Sequence, residues 1–257
     1  MKSNLASLQK KFGKNLIIQE KLSKYSWFNL GGTADIFFRP DSLDQLKKFL
    51  IDIKTANFKL CILGAGSNTL IRDKGVKGVV IKLSSKFSNI KLLEEDVIEV
   101  GAAALDRKVS DFATNNSISG LEFLSCIPGS IGGAVIMNSG CYGSDISKIL
   151  KSIKVIDING AVKNIRKEEI NFIYRGTNLP EKYIILSAIL KGQVSFKKSI
   201  EKKQAELIER KKNSQPSKIK TGGSTFKNNK SVGVYGIKSK FNGNMFNIPG
   251  TQVYDKA

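Results

Sequence analysis

Two stretches of this sequence carry residue types whose spacing could do chemistry. The first is Leu63-Gly64-Ala65-Gly66-Ser67-Asn68-Thr69-Leu70. Two glycines one residue apart let a backbone approach a large ligand and turn its N–H groups outward. Ser67 and Asn68 add short side-chain donors at the same point. That is the chemistry of a pyrophosphate cradle, in which backbone dipoles hold anionic oxygens; an ordinary turn at a strand end is the alternative reading. The dinucleotide fingerprint G-x-G-x-x-G does not fit, because Leu70 stands near the third glycine position and Leu70-Ile71-Arg72-Asp73 is no clear helix start. A Walker phosphate loop fails too, since no Gly-Lys-Ser/Thr follows. The second stretch runs from Gly120 through Ile127-Pro128-Gly129-Ser130-Ile131-Gly132-Gly133-Ala134 to Gly143, with five glycines between 129 and 143. Gly132 and Gly133 weaken a helix unless something flat or large packs on them. A planar cofactor ring and close helix–sheet packing account for them equally well.

Histidine is absent. Ser-His-Asp triads, Cys-His pairs, H-E-x-x-H zinc sites and a flavin tethered through histidine are therefore excluded. Any general acid has to be Ser, Tyr, Lys, Cys, Asp or Glu.

The elements that must position these stretches follow from periodicity. Residues 1–22 predict a short helical lead-in, and a strand is expected over 36–39. Pro40-Asp41-Ser42 then caps a helix whose apolar face is Leu43, Leu46, Phe49, Leu50 and Ile53. The apolar run from Phe58 to Ile62 predicts a strand that feeds the glycine turn. Further strands are expected over 78–83 and 97–102, the latter ending in Gly101-Ala102-Ala103-Ala104. Residues 105–116 predict a helix with Leu105, Val109, Phe112 and Ala113 on one side. Residues 196–212 predict a connector helix with Ile200, Leu207 and Ile208 on one side and a solvated face elsewhere; Gln215-Pro216 ends it. Strands interleaved with helices predict mixed α and β layers.

With 257 residues, 41% hydrophobic and 25% charged, the chain has the composition of a globular protein able to bury a substantial core. No apolar run approaches a membrane span and no signal peptide opens the sequence, so a cytoplasmic location without a membrane partner is expected. Cys61, Cys126 and Cys141 are odd in number and lack C-x-x-C spacing. They read as free thiols in a reducing compartment, and no metal is expected. The formal charge of +20 raises the question of nucleic acid. Lysines run along the whole chain without interleaved aromatics or a nucleic-acid motif, and an AT-rich coding sequence gives the same Lys, Asn and Ile content. No nucleic-acid partner is expected; a small diphosphate substrate gains from the same positive field.

Ser26-Trp27-Phe28-Asn29-Leu30-Gly31-Gly32, Leu63-Gly64-Ala65-Gly66-Ser67-Asn68, Ile127-Pro128-Gly129-Ser130-Ile131-Gly132-Gly133-Ala134, Tyr174-Arg175-Gly176-Thr177 and Gly222-Gly223-Ser224-Thr225-Phe226-Lys227-Asn228 occur in that order. Each is weak alone. Together, over residues 25–228, they closely resemble the UDP-N-acetylenolpyruvoylglucosamine reductase (UDP-N-acetylmuramate dehydrogenase) family, flavoproteins of peptidoglycan precursor synthesis and hence of cell-wall biogenesis, cell shape and division. The spacing resembles the shorter form of the family. The resemblance implies an α+β fold: a two-part FAD-binding domain of the vanillyl-alcohol-oxidase type over 1–195, divided near 83, then a smaller substrate domain, partial here, over 196–257. It implies noncovalent FAD with its pyrophosphate on Gly64, Ala65, Gly66, Ser67 and Asn68, and the segment bearing Pro128, Gly129, Ser130 and Gly133 along the flavin. It implies NADPH as cosubstrate, a UDP-sugar substrate and a monomer.

The implied reaction adds hydride to the vinyl carbon of an enol ether, and charge then builds on the conjugated carboxylate. By the resemblance, Arg175 stabilises that charge with a planar, permanently charged fork. Ser224 gives a proton to the adjacent carbon, and Lys227 and Asn228 hold the substrate near its diphosphate. The bland alternatives are a surface salt bridge for Arg175 and a turn serine for Ser224. The tail departs from the family pattern: Asn229 stands where proline is expected, Ser231 to Gly236 replace an apolar helix, and Ile248 to Ala257 look like a degraded Gly-Gly-Ala-x-Val-Ser-x-x-His segment. The family's final segment, with the glutamate that partners serine and arginine, finds no counterpart here, and no residue of this sequence can be assigned that role. A reductase is therefore expected, with an FAD-binding protein of lost or reduced turnover as the second reading; a different oxidase of the same flavin fold is a third.

Overall fold

Two β-sheets carry the fold in this computed structural model, which describes residues 2–54 and 58–214 and the backbone of 252–254. The first sheet has strand order β1-β2-β5-β3, from β1 (Leu16–Lys21), β2 (Thr33–Phe38), β3 (Leu60–Ile62) and β5 (Val76–Ile81); β4 (Thr69–Ile71) lies between β3 and β5 in sequence, outside the sheet. β5 runs parallel to both β2 and β3, with Ile81 level with Phe38 on one side and Ile62 on the other. The carboxyl ends of these three strands therefore share one edge, where open α/β sheets hold their ligands.

One face of this sheet is covered by α1 (Lys2–Phe12) and α2 (Leu43–Lys54). Leu46, Phe49, Leu50 and Ile53 recur at helical spacing and are all buried, against Ile36, Phe38, Val79 and Ile81. Phe49 stacks on Phe38 at 3.8 Å between centroids, and Phe12 meets both edge-on. Fully burying each such side chain is worth roughly 1.5–3 kcal/mol. On the other face Leu22, Phe37, Cys61 and Val80 form a smaller cluster, with Tyr25 stacked on Phe37 at 4.5 Å.

The second sheet is antiparallel throughout, in the order β12-β11-β15-β7-β6. Its strands are β6 (Ile90–Glu94), β7 (Val97–Gly101), β11 (Leu150–Ile156), β12 (Val162–Arg166) and β15 (Ile184–Lys191). Short pairs join the connections: β8 (Ile118–Ser119) with β16 (Gln193–Val194), β9 (Gly140–Cys141) with β10 (Ser144–Asp145), and β13 (Phe172–Ile173) with β14 (Gly176–Thr177). The helices α3 (Asp106–Asn115), α4 (Ile131–Ile136) and α5 (Ile146–Ile149) contribute Val109, Ile131, Val135 and Ile146 to a core shared with Ile98, Val100, Ile153, Ala188 and Leu190. Ile156, Ile184 and Leu186 reach into the core of the first sheet, so the two layers meet through buried side chains.

One expectation needs correction. The helical lead-in stops at Phe12, and residues 16–21 form β1, antiparallel to β2. Ile17 and Ile18 favour extended backbone, while an exposed Ile17 and a buried Glu20 invert the polar–apolar alternation by which a strand is recognised. The last helix, α6 (Lys197–Ser214), has the expected apolar side and solvated face, and that side is docked: Ile200 and Gln204 are buried and Leu207 packs on the second core. Gln204 bonds Asp111, Ser110 and Thr114 of α3, and Lys203 lies 3.3 Å from Glu122, whose side chain is 2% exposed. No helix among the described residues is long and apolar enough to cross a membrane, and no cluster there could hold a metal ion. All three cysteines are free thiols.

Candidate functional site

The glycine turn lies at the carboxyl edge of the first sheet, between β3 and β4. Gly66 has φ +74°, and a Cβ built there would stand 1.9 Å from the carbonyl oxygen of Tyr25. Only glycine serves, because the turn is pressed backbone to backbone against residues 25–27. The Trp27 N–H donates to the Gly66 carbonyl at 3.1 Å and fixes that contact. Gly64 is different. Its φ is ordinary, it is exposed, and a Cβ there would meet only the Ser130 hydroxyl, at 3.0 Å. Two motifs 66 residues apart (Ser130 and Gly64) therefore face each other across one gap.

Ser130 precedes α4, whose glycines split the two explanations open for them. A Cβ on Gly132 would lie 3.1 Å from that of Ala102, so Gly132 serves close packing of α4 on the strand end. Among the described residues Gly133 meets nothing nearer than the Ser130 hydroxyl at 4.0 Å, so there its side of α4 is open for a flat group. The loop is held by Asp106 N–H to Gly129 O at 3.2 Å and Ile131 N–H to Ala104 O at 3.0 Å. A Cβ on Gly129 would fall 2.4 Å from the Asp106 carboxylate. Asp106 is fully buried and neither oxygen has a hydrogen-bond partner among the described residues. Burial pushes its pKa well above the usual carboxylate range.

Arg175 sits in the two-residue hairpin between β13 and β14, at φ +60°. Its guanidinium donates to Gly140 O at 2.7 Å and Asn138 O at 3.5 Å, and packs 5.0 Å above the Tyr174 ring. Asn138 answers with a bond to Ile173 O at 3.3 Å, and Thr177 bonds Ile136 O at 3.3 Å. The hairpin is therefore tied to the carboxyl end of α4. A six-residue helix spans about 9 Å, so α4 carries Ser130 at one end and Arg175's anchor at the other. Ser224, Lys227 and Asn228 lie outside the described residues.

Beside the loop, the neighbouring Cys141 thiol holds that of Cys126 down at about 6, with Ser125 and Lys211 adding to the effect; Cys141, whose thiol donates to Phe123 O at 3.4 Å, is pushed up in turn. Lys211 also donates to Cys126 O at 2.7 Å, and Arg210 lies 4.9 Å over the Tyr142 ring, so α6 brackets this corner. Sequence reasoning passed over Asp106, Glu122 and Lys82. Lys82 had a usable signal: a lysine directly after the apolar strand Val79-Val80-Ile81, at the edge where parallel strands end.

A glycine turn at the end of a parallel strand, facing a second glycine loop with an open helix side, defines a flavin-nucleotide-binding fold. Residues 34–166 match the family model described as FAD binding domain. The chain is 51% identical over 207 residues to UDP-N-acetylenolpyruvoylglucosamine reductase of Pelagibacter ubique (strain HTCC1062), covering 80% of this chain and 68% of that relative. It is 44% identical to the protein of that name from Rickettsia massiliae (strain Mtu5), covering 80% and 70%. Among solved structures, the UDP-N-acetylenolpyruvylglucosamine reductase (MurB) of Thermus caldophilus matches with a TM-score of 0.71 and 31% identity, over 83% of this chain and 74% of that one. A glucose dehydrogenase, Phl p 4.0202, at 10% identity and a TM-score of 0.55, shares the fold alone. The chain belongs to the UDP-N-acetylenolpyruvoylglucosamine reductase family.

Proposed function

We propose that this chain is an FAD-dependent reductase converting UDP-N-acetylglucosamine enolpyruvate to UDP-N-acetylmuramate with NADPH, in peptidoglycan precursor synthesis. The observation that carries the reading is the approach of Gly64 to Ser130, within 3.0 Å of a Cβ position. It joins the turn suited to a pyrophosphate to the loop suited to a flat ring. FAD fits the residues present: Gly64, Ala65, Gly66, Ser67 and Asn68 would hold its pyrophosphate, and Pro128, Gly129, Ser130 and Gly133 would line the flavin, with no side chain at Gly64 or Gly133 in the way. Bound there and reduced by NADPH, the flavin would supply hydride to the terminal vinyl carbon of the enol ether. Arg175 holds the substrate carboxylate, where charge builds as the hydride arrives. Ser224 delivers the proton to the adjacent carbon, and Lys227 and Asn228 hold the diphosphate end of the substrate. In this reading residues 1–195 form the cofactor part and 196–257 belong to the substrate part, with α6 as the strut between them, and the protein works as a cytoplasmic monomer.

The purified protein is expected to be yellow and to release intact FAD on acid or heat treatment. A colourless preparation that takes up no added FAD would overturn the reading. In anaerobic stopped flow, Ser224→Ala and Arg175→Ala should leave reduction by NADPH nearly intact and slow reoxidation by the enolpyruvyl substrate, on the order of a hundredfold. Equal damage to both half-reactions would make these residues supports of the fold.

A further inference from the structure

Two of the three free thiols stand together at the corner where α6 meets the loop that anchors Arg175. Cys126 closes the 3₁₀ turn Glu122–Cys126, and Cys141 ends β9. The Cys141 thiol donates to Phe123 O at 3.4 Å. A 3₁₀ turn aims the carbonyl of one residue at the third residue on, so Cys141 is seated against the part of the turn that bears Cys126. Each thiol acts on the other: Cys141, then Ser125 and Lys211, hold Cys126 down against its burial, while Cys126 and burial push Cys141 up. Lys211 and Arg175 are the cations that face the pair, with Arg210 and Tyr142 at its border. An anionic thiol beside a neutral one is the arrangement in which the first is oxidised and the second resolves it. Cys126 is 6% exposed, which favours a small oxidant over a bulky one. Cys61 lies apart, buried in the first sheet. Neither paired thiol has a part in the hydride or proton transfer.

We propose that Cys126 and Cys141 are a dithiol oxidised by hydrogen peroxide, and that their disulfide resets the anchor of Arg175. The Cys126 thiolate attacks one peroxide oxygen, the O–O bond breaks, and the departing hydroxide takes up a proton to become water. The Cys141 sulfur then attacks the resulting sulfenic acid. The S–S bond forms as the S–O bond breaks, and the second hydroxide leaves with the Cys141 proton as water. Two thiols lose two electrons and one peroxide gains them. The 3₁₀ turn is fixed by Phe123 and Leu124 in the second core, whereas Cys141 is followed by left-handed Tyr142 and Gly143. Closing the bond therefore moves residues 140–143, and with them the Gly140 carbonyl that accepts from Arg175 at 2.7 Å. The effect on turnover rests on the role proposed for Arg175: flavin reduction by NADPH continues and transfer to the enolpyruvyl substrate slows.

The test treats the full chain carrying FAD with hydrogen peroxide, then acid-quenches and unfolds it for thiol counting and peptide mapping. The three thiols should fall to one, Cys61, with Cys126 linked to Cys141, and dithiothreitol should restore all three. Cys141→Ser should stop at a Cys126 sulfenic acid that dimedone captures, and Cys126→Ser should keep Cys141 reduced at the same dose. On oxidation of the wild type, amide hydrogen exchange over residues 172–177 should rise, and reoxidation by the enolpyruvyl substrate should slow on the order of tenfold. Three thiols surviving peroxide, or a link through Cys61, would overturn the dithiol. A Cys126–Cys141 link that leaves exchange over 172–177 unchanged would overturn its coupling to Arg175. Thiol count, peptide map and exchange need no turnover, so a chain that forms the link, loosens 172–177 and yet never reduces the substrate would refute the reductase reading alone.

Discussion

Adding one methyl group to either glycine of the turn should separate cofactor binding from stability. At Gly66, alanine must adopt φ +74°, which costs about 1–2 kcal/mol. Its Cβ would also stand 1.9 Å from a backbone oxygen, so residues 25–27 must move and the Trp27–Gly66 hydrogen bond is lost. A typical hydrogen bond adds about 1 kcal/mol. Gly66→Ala should therefore destabilise the protein by about 2–3 kcal/mol, which for a chain of this size lowers the thermal midpoint by roughly 5–10 °C. At Gly64 the added methyl meets only the end of the Ser130 side chain, which can rotate away. Gly64→Ala should hold its midpoint within about 2 °C. The methyl nevertheless stands where the pyrophosphate would lie, and FAD should bind at least tenfold more weakly, about 1.4 kcal/mol. Differential scanning fluorimetry of the flavin-free variants and flavin-fluorescence titration read the two quantities separately. Wild-type FAD affinity in Gly64→Ala would refute the cradle, and an unchanged midpoint in Gly66→Ala would refute the close-approach argument.

Two further outcomes follow from buried carboxyls. Glu122 accepts from Ser119 Oγ at 2.8 Å and the Gly120 N–H at 2.9 Å besides pairing with Lys203. Glu122→Ala should cost about 3 kcal/mol and Lys203→Met about 1–2 kcal/mol, read as urea midpoints, because the first orphans two donors and a lysine while the second leaves a carboxylate still hydrogen-bonded; equal costs would show that the charge pair alone matters. Asp106 has a folded pKa raised above 3.8, so from about pH 4 upward the native state binds more protons than the unfolded chain and loses stability as pH rises. Asp106→Asn removes that slope, and calorimetry should find its advantage over wild type larger at pH 8 than at pH 4.5; a gap independent of pH would mean that Asp106 is ionised in the fold.

Much of this was legible because each feature depended on local pattern. The apolar face of α2 is read at a spacing of three and four, and all but Leu43 of its five named residues is buried. The turn after β3 is marked by its own glycines. β1 was hidden because polarity and burial disagree within it: Ile17 is exposed, and the buried position 20 is a glutamate, satisfied by the Tyr25 hydroxyl at 2.9 Å. How α6 docks was only half legible for a related reason. Its docking rests on Gln204, Lys203 and Lys211 pairing with groups more than 80 residues away, and no hydrophobic periodicity reports such polar partners. The two glycines of α4 are adjacent and chemically identical, so only the neighbours that folding brings to each could assign one to packing and the other to an open face.

The hairpin at Arg175 shows the same divergence between what folds best and what is present. A two-residue hairpin with a left-handed second position favours glycine or asparagine, and Arg175 occupies it at φ +60°. Asn138 and Tyr142 are left-handed as well, so three strained residues surround one carbonyl-rich loop. Strain of this kind costs about 1–3 kcal/mol per residue and persists where the surroundings over-determine it. Here the surroundings are the two carbonyls that accept from the guanidinium and the bonds returned by Asn138 and Thr177. Those two bonds engage one N–H on each terminal nitrogen, and a guanidinium has five. The remaining donors form a planar fork whose orientation is already fixed. Lysine in this place would keep the charge and lose both the anchor and the fork. A group held at a conformational cost, braced from behind, with donors left over among the described residues, is what the role proposed for Arg175 toward a substrate carboxylate would require.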